Sequence, residues 1–145
     1  MGDSIARALQ LLEGDAFVMT AAFEDQRAGM RVLSVFRCAT EPLLICVAAK
    51  KGHPIEPLVR DSHCFAVCKV DLTQKLILRK FSTEPEEGED PFDTFLVDSL
   101  ATGSPTLAIS PLVLDCEVVR HFDLEADHEL FVGQVMAARV SPSLA

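Results

Sequence analysis

Six apolar segments, separated by short polar breaks, constrain the fold of this chain more than any other feature of its sequence. They are rich in Val, Ile, Leu and Phe, as strands are, and cover residues 16–23, 30–38, 43–49, 65–70, 112–122 and 129–140. Three helical patterns, at residues 4–12, 55–61 and 73–81, are too few and too scattered for a repeating strand–helix–strand unit. The sequence therefore predicts a mostly β fold with short helices, arranged as a small barrel.

The stretches between these elements carry their own signals. Residues 24–29 predict a polar turn, and residues 43–49 form a continuous apolar run, which is typical of a strand buried on both faces. Residues 82–93 predict an acidic loop. Residues 92–109, which contain Gly and Pro breakers, are predicted to be irregular.

The length of 145 residues suits one domain with one core, with residues 14–140 as its body and residues 1–13 as an N-terminal helix. The net charge is −9, and six acids between residues 84 and 93 contribute most of it. Because no basic stripe is present, we expect no nucleic-acid partner. The apolar runs are too short to cross a bilayer, and no apolar leader segment is visible. We therefore expect a cytoplasmic protein with no membrane contact.

The five cysteines, Cys38, Cys46, Cys64, Cys68 and Cys116, are odd in number and several lie in apolar surroundings. This pattern favours reduced, mostly buried thiols over disulfides. No Cys-x-x-Cys pair occurs, and the spacing of cysteine and histidine residues matches no zinc pattern. We expect no metal site.

The loop formed by Lys50, Lys51, Gly52 and His53 is the feature most suggestive of a ligand site. It follows the apolar run and directly precedes the second helix. Two ammonium groups and the free N–H groups of a helix would therefore lie close together, as in a phosphate site. The same four residues also suit an ordinary solvated turn, and the pattern alone leaves both interpretations open.

Two further features bear on a binding site. Strand alternation would put Arg31, Leu33, Val35 and Arg37 on one face of the second strand, where they either line a ligand groove or lie exposed at a sheet edge. His128 opens the last strand. It can serve as an acid or a hydrogen-bond donor, or it can simply pack against the preceding turn.

The order of these segments resembles the flavin reductase-like, FMN-binding split β-barrel family. The resemblance covers residues 14–140, and no single motif carries it; the order and spacing do. The segments concerned are GMRVLSV at residues 29–35, EPLLICVA at 41–48, the loop at 50–53, residues 60–62, 65–67 and 74–81, DCEVV at 115–119 and DHELFVGQV at 127–135.

The resemblance implies FMN, with FAD possible, lying across the second strand of a homodimer, its phosphate at the lysine loop. The residues that it implies in flavin binding are Arg31, Val32, Leu33, Ser34, Val35, Arg37, Cys38, Ala48, Ala49, Lys50, Lys51, Gly52 and His53. His128 is the implied catalytic residue, placed near the flavin and its reductant. One departure is visible, because members of the family carry a run of Thr, Ser and Asn around the flavin and here only Ser34 keeps a hydroxyl.

The resemblance leads to two functional hypotheses. The first is a flavin oxidoreductase, similar to the flavin reductases that use NADH or NADPH. The second is a flavin-binding electron carrier or sensor that is not a reductase. A split barrel that holds another cofactor, such as haem, is a weaker third interpretation.

Overall fold

The computed structural model describes residues 2–12 and 15–141, and strands make up most of its regular structure. Its nine strands are β1 (Ala16–Phe23), β2 (Gln26–Val32), β3 (Val35–Ala39), β4 (Leu44–Lys50), β5 (Cys64–Val70), β6 (Val97–Ser99), β7 (Pro105–Leu107), β8 (Leu112–Asp123) and β9 (His128–Val140). Its helices are α1 (Gly2–Leu12), α2 (Ile55–Ser62) and α3 (Lys75–Ser82). None of these helices is long and apolar enough to cross a membrane.

Seven strands form one antiparallel sheet in the order β2-β1-β5-β8-β9-β4-β3, and β6 and β7 form a separate pair. The sheet curls, because Met30 at one edge and Val47 near the other edge share one core with Phe65 and Phe131. Where the ends of β2 and β4 meet, the Lys50 N–H group contacts the Met30 sulfur at 3.5 Å. No backbone ladder joins β2 to β3 or β4, so the sheet curls without closing.

A second core lies on the other face of β1 and β5. Val18 of β1 and Cys68 of β5 pack there with Phe81 of α3 and with Phe92, while Met19 belongs to the first core. This division follows the alternation of side chains along a strand. Both faces of β1 are therefore covered, which anchors the half of the sheet that carries β2.

The long elements were predicted closely. The strand at residues 16–23 is confirmed as β1, and the predictions for the four other strands that match β4, β5, β8 and β9 differ by at most one residue at either end. The second helix also ends within one residue of its prediction. The third helix begins at Lys75, two residues later than predicted.

The predicted polar turn at residues 24–29 is wrong. Only Glu24 and Asp25 form the turn, and Gln26 already pairs with Phe23 as the first residue of β2. A polar stretch such as this one can belong to a strand when its partner supplies the ladder of hydrogen bonds.

The predicted single strand at residues 30–38 is also wrong. The strand is interrupted at Leu33 and Ser34, because β2 pairs with β1 whereas β3 pairs with β4. Segments that are neighbours in sequence thus belong to opposite edges of the sheet. The alternation predicted for Arg31 through Arg37 does not continue across this break.

Two smaller differences remain. The segment predicted to be irregular contains the short pair β6 and β7. The first helix begins at Gly2, and none of its residues is buried, although Ile5 and Leu9 share the predicted apolar face. Its C-terminal neighbours, residues 13 and 14, lie outside the described residues.

Candidate functional site

A cavity of about 240 Å³ lies where the ends of several elements meet. β2 and the turn after it, the end of β4, the loop before α2, the end of α3 and the start of β9 all contribute to its wall. The lining residues are Met30, Arg31, Leu33, Lys50, His53, Phe81, Ser82, Thr83, Glu84 and His128. Five of them, Arg31, Leu33, Lys50, His53 and His128, are residues that the sequence predicted for the site.

Two further cavities adjoin the first along the turn between β2 and β3. One, of about 410 Å³, shares Arg31 and Leu33 with it and also touches Val32. The other, of about 460 Å³, shares Leu33 and extends to Ser34 and Val35. The three cavities share lining residues and therefore adjoin; together they are called the groove below, and they extend from the loop before α2 to the start of β3.

His53 closes one end of the groove. Its side chain is 4% exposed, and its Nδ1 accepts a hydrogen bond of 3.0 Å from the Ile55 N–H group at the first residue of α2. Its Nε2 is buried and has no partner among the described residues. Burial lowers the pKa of His53; the Glu84 carboxylate opposes this effect and the Lys50 ammonium adds to it. His53 is therefore a neutral imidazole at pH 7.

The two lysines of the loop differ in their surroundings. Lys50 is exposed and lines the groove, and no carboxylate of the described residues lies within ion-pair distance of its ammonium. Lys51 places its Nζ 2.5 Å from the Asp123 carboxylate, and its N–H group donates to the Asp127 carbonyl at 2.9 Å. Lys51 thus ties the end of β4 to the turn before β9, while the ammonium of Lys50 is available to a ligand.

The other residues predicted for the site lie beside the groove. Ala49 is fully buried in the core and Ala48 is half-buried, whereas Arg37 and Cys38 are exposed on the edge strand β3 and do not line the three cavities. Gly52 is exposed with a φ of +82°, a conformation that other residues rarely adopt. It therefore serves the turn between Lys51 and His53.

His128 lies at the mouth of the groove opposite Lys50, with which it pairs across β4 and β9. Its side chain is one-quarter exposed, and its Nδ1 lies 3.1 Å from a carboxylate oxygen of Asp127. This hydrogen bond lowers the pKa of Asp127. The Nε2 of His128 has no partner among the described residues, so it is the ring nitrogen that remains for a ligand.

Sequence reasoning missed two charged lining residues: Asp15, which lines the two further cavities, and Glu84, which lines the first. Glu84 lies two residues after the end of α3, in the acidic stretch that was predicted as a loop. No local pattern distinguishes it from the other five acids of that stretch. The one available signal was its position just beyond Phe81, a core residue that holds the end of α3 against the sheet.

A hydrogen-bonded pair of His121 and the buried Glu129, also missed, lies on the other face of β9. Glu129 is 5% exposed; one of its oxygens lies 2.5 Å from His121 Nε2, and the other has no partner among the described residues. The His121 ring stacks on Phe131 with 4.5 Å between the ring centroids. None of these three residues lines the groove, and alternation along a strand would not have paired His121 with Glu129.

Comparison with known families and curated proteins points to flavin proteins. The family model described as flavin reductase like domain matches residues 11–145. The chain is 25% identical over 126 residues to the ferric-chelate reductase (NAD(P)H) of Archaeoglobus fulgidus, and the aligned region covers 86% of this chain and 74% of that protein. It is 22% identical over 142 residues to diflavin flavoprotein A 1 of Synechocystis, and the aligned region covers 97% of this chain and 25% of that protein. The chain thus spans about a quarter of the length of the diflavin flavoproteins that it matches.

Solved structures share the fold. NADH:FAD oxidoreductase SgcE6 of Streptomyces globisporus superposes with a TM-score of 0.82 at 22% identity, covering 97% of this chain and 85% of that chain. Flavoredoxin of Methanosarcina acetivorans superposes with a TM-score of 0.80 at 19% identity, covering 88% of this chain and 69% of that chain. At these identities the likeness concerns the arrangement of strands and helices.

Proposed function

The chain belongs to the flavin reductase-like domain family, and we propose that it binds a flavin in the groove and transfers a hydride or electrons through it. FMN is the flavin proposed, with FAD as the alternative. The observation that carries the proposal is the end of the groove, where the Lys50 ammonium and the buried, unpartnered Nε2 of His53 lie together. A bound flavin supplies the redox chemistry, and the protein supplies position and electrostatics.

The proposed phosphate position is the end of the groove at residues 50–53. Lys50 offers a cation there, whereas the N–H groups of Ile55 and Glu56 at the start of α2 already donate to His53. Lys51 follows Lys50 and is paired with Asp123, so the role proposed for Lys51 is to support the loop. His53 is the wall of this end and has a buried polar atom that needs a partner.

The proposed position of the flavin ring is along the turn between β2 and β3. Arg31, Leu33 and Val35 border the groove there, and Ser34 offers the hydroxyl of this stretch. The remaining hydrogen bonds to the ring would come from backbone groups of the turn. Val32, Arg37, Cys38, Ala48 and Ala49, which the resemblance also implies, are proposed to act through their backbones or by supporting the turn.

The wider architecture proposed for the chain is that of the split β-barrel, in which a curled sheet is left partly open. The shared core of β2 and β4 supports this assignment. A single domain is proposed, with residues 14–140 as its body and residues 1–13 as an N-terminal helix. All five cysteines are free thiols, which supports a reducing compartment such as the cytoplasm.

NADH or NADPH is proposed as the reductant, and His128 as the residue that serves the reaction. With Nδ1 held by Asp127, the imidazole can present Nε2 at the mouth of the groove. There it would orient the nicotinamide amide or balance charge on the reduced flavin by holding a proton.

A second candidate function is a flavin-binding electron carrier or sensor. The observation that favours it is the scarcity of hydroxyl groups beside the proposed ring position: in the cavity there, Leu33 and Val35 lie beside Asp15, and among its lining residues Ser34 alone carries a hydroxyl. A reductase must also seat a nicotinamide, which these side chains serve poorly.

A homodimer is proposed because large apolar side chains remain exposed along the groove and on the long strands β8 and β9. Leu33 and Phe36 are more than half exposed at its rim, and Phe122 and Met136 are about half exposed on β8 and β9. Covering apolar surface is the main driving force of association. Sedimentation equilibrium at micromolar concentration tests this: we expect a dimer, and a monomer with flavin bound would mean that one chain builds the site alone.

The visible spectrum of the purified protein, with and without added FMN, tests the proposed function first. We expect a flavin spectrum and tighter binding of FMN than of riboflavin. Anaerobic mixing with NADH and with NADPH then separates the two candidates. Bleaching of the flavin at a catalytically useful rate supports the reductase, and binding without reduction supports the carrier or sensor. Protein that binds no flavin contradicts both.

A further inference from the structure

The imidazole of His53 is held in one orientation by the backbone that follows it. Its Nδ1 lies 3.0 Å from the N–H group of Ile55, two residues further along the chain. This is the arrangement in which the side chains of Asn and Asp also hold a turn. Because the residue is only 4% exposed, the ring has little freedom to leave this hydrogen bond.

The hydrogen bond decides which nitrogen of the ring carries the proton. Nδ1 uses its lone pair to accept from Ile55, so a neutral ring must carry its hydrogen on Nε2. Nε2 has no acceptor among the described residues, and the residue lines the groove. A buried N–H group without an acceptor is unfavourable, so the ring is arranged for a partner that arrives with the ligand.

The surroundings keep the ring neutral. Burial lowers its pKa, Glu84 on the loop after α3 opposes this, and Lys50 on β4 supports it; Arg31 and His128 line the same cavity. A protonated ring would also place a second N–H against that of Ile55, at the positive end of α2. The donor at Nε2 is therefore fixed in direction and adds no charge to the cavity.

We propose that His53 is a specificity-determining residue of the groove, whose neutral Nε2–H group donates a hydrogen bond to an anionic oxygen of the ligand. Under the proposed function, on which this inference rests, that oxygen belongs to the terminal phosphate of FMN. Lys50 then supplies the positive charge for the phosphate, and His53 supplies an oriented hydrogen-bond donor. Riboflavin, which lacks the phosphate, does not use His53.

Two substitutions separate the two nitrogens of the ring. In His53→Asn, the side-chain oxygen takes the place of Nδ1, so the bond from Ile55 is kept and the donor at Nε2 is lost. In His53→Gln, the longer amide reaches the place of Nε2, so a donor is kept and the bond from Ile55 is lost. Circular dichroism and thermal unfolding show whether each variant is folded before its binding is compared.

Dissociation constants for FMN and riboflavin are measured for both variants and for the unsubstituted protein. We expect His53→Asn to bind FMN at least about tenfold more weakly, since a hydrogen bond to a charged oxygen is lost, and riboflavin within about twofold of the original. We expect His53→Gln, at its own lower stability, to keep the greater part of the preference for FMN.

Nitrogen-15 NMR of the histidine rings tests the same inference without any reaction. In the flavin-free protein at pH 7 we expect His53 to carry its proton on Nε2, and we expect the resonance of that N–H to shift and to exchange more slowly when FMN is added. A proton on Nδ1, or an Nε2–H that does not respond to FMN, overturns the proposal.

The outcomes distinguish this inference from the proposed function. If the protein binds FMN and His53→Asn binds it equally well, the role of His53 is refuted and the proposed function stands. If the unsubstituted protein binds no flavin, the proposed function is refuted, and the role of His53 in phosphate recognition is refuted with it.

Discussion

Substitution of Lys50 is the most direct test of where an anionic ligand binds. Lys50 lines the groove, and no carboxylate of the described residues lies within ion-pair distance of its ammonium, whereas the ammonium of its neighbour Lys51 is 2.5 Å from Asp123. The two residues are adjacent in sequence and identical in charge. Lys50→Ala is therefore the perturbation, and Lys51→Ala is its matched control.

The expected size of the effect follows from the exposure of Lys50. A hydrogen bond to a charged group contributes about 1.5–3 kcal/mol, and about 1.4 kcal/mol corresponds to a tenfold change in a dissociation constant. Because Lys50 is exposed, solvent weakens the interaction and the lower end of this range applies. We expect Lys50→Ala to weaken FMN binding about tenfold and to leave riboflavin nearly unchanged.

For Lys51→Ala we expect a smaller effect on FMN, within about threefold, because an exposed ion pair contributes little. The loss of the cation also frees the Asp123 carboxylate, which faces the same loop and repels an anion. Isothermal titration with FMN and with riboflavin, at low and at high salt, measures all of these values. The excess affinity of the native protein for FMN should decrease as salt rises.

Two results would refute this reasoning. The first is an equal loss of affinity for FMN and riboflavin in Lys50→Ala, which indicates a disturbed groove and no phosphate contact. The second is a loss of FMN affinity in Lys51→Ala as large as in Lys50→Ala, which would place both ammonium groups on the ligand in spite of the pairing with Asp123.

Three further predictions concern the mouth of the groove, the core and the acid stability. His128→Ala should bind flavin as before but reduce it at least about tenfold more slowly, equivalent to about 1.4 kcal/mol of barrier; unchanged reduction kinetics with a lower melting temperature would make His128 a turn residue. Gly133→Ala should lower the free energy of unfolding by about 1–3 kcal/mol, measured with urea, because its Cβ would lie 2.7 Å from a core phenyl carbon. The hydrogen bond from Thr106, opposed by burial and aided by Arg139, lowers the pKa of Asp98. The ionised Asp98 therefore stabilises the folded protein above the unfolded pKa of about 3.9, and this stabilisation is lost as pH falls through the lower folded pKa. Asp98→Asn should therefore show a flatter decline in unfolding free energy than the native protein between about pH 5 and pH 2, and identical slopes would rule out this contribution.

Local patterns in the sequence were sufficient to predict the strands whose own residues favour an extended conformation. The apolar run that became β4 and the long segments that became β8 and β9 lie within one residue of prediction, because β-branched and apolar residues favour strands wherever those strands are placed. Gly52 has the positive φ of the turn that was predicted around it. The order of these segments also carried the resemblance to the family that the chain belongs to.

The pairing of strands was decided by the tertiary structure alone. Nothing within residues 30–38 indicates a break, yet β2 and β3 separate at Leu33 and Ser34 because their partners, β1 and β4, lie on opposite sides of the curled sheet. Hydrogen bonds between strands join residues far apart in sequence, so a local window contains no record of them.

The candidate site divides in the same way. Sequence alone identified Lys50, His53 and His128 as chemically capable residues, because their types and their positions at element ends are local properties. The tertiary structure brings these three residues together in one cavity and adds Glu84 to its lining. It also pairs Lys51 with Asp123 and fixes the tautomer of His53. All of these contacts depend on distances set by the curl of the sheet and the docking of α2 and α3. Distance and burial decide charge and hydrogen bonding, and both are properties of the folded chain.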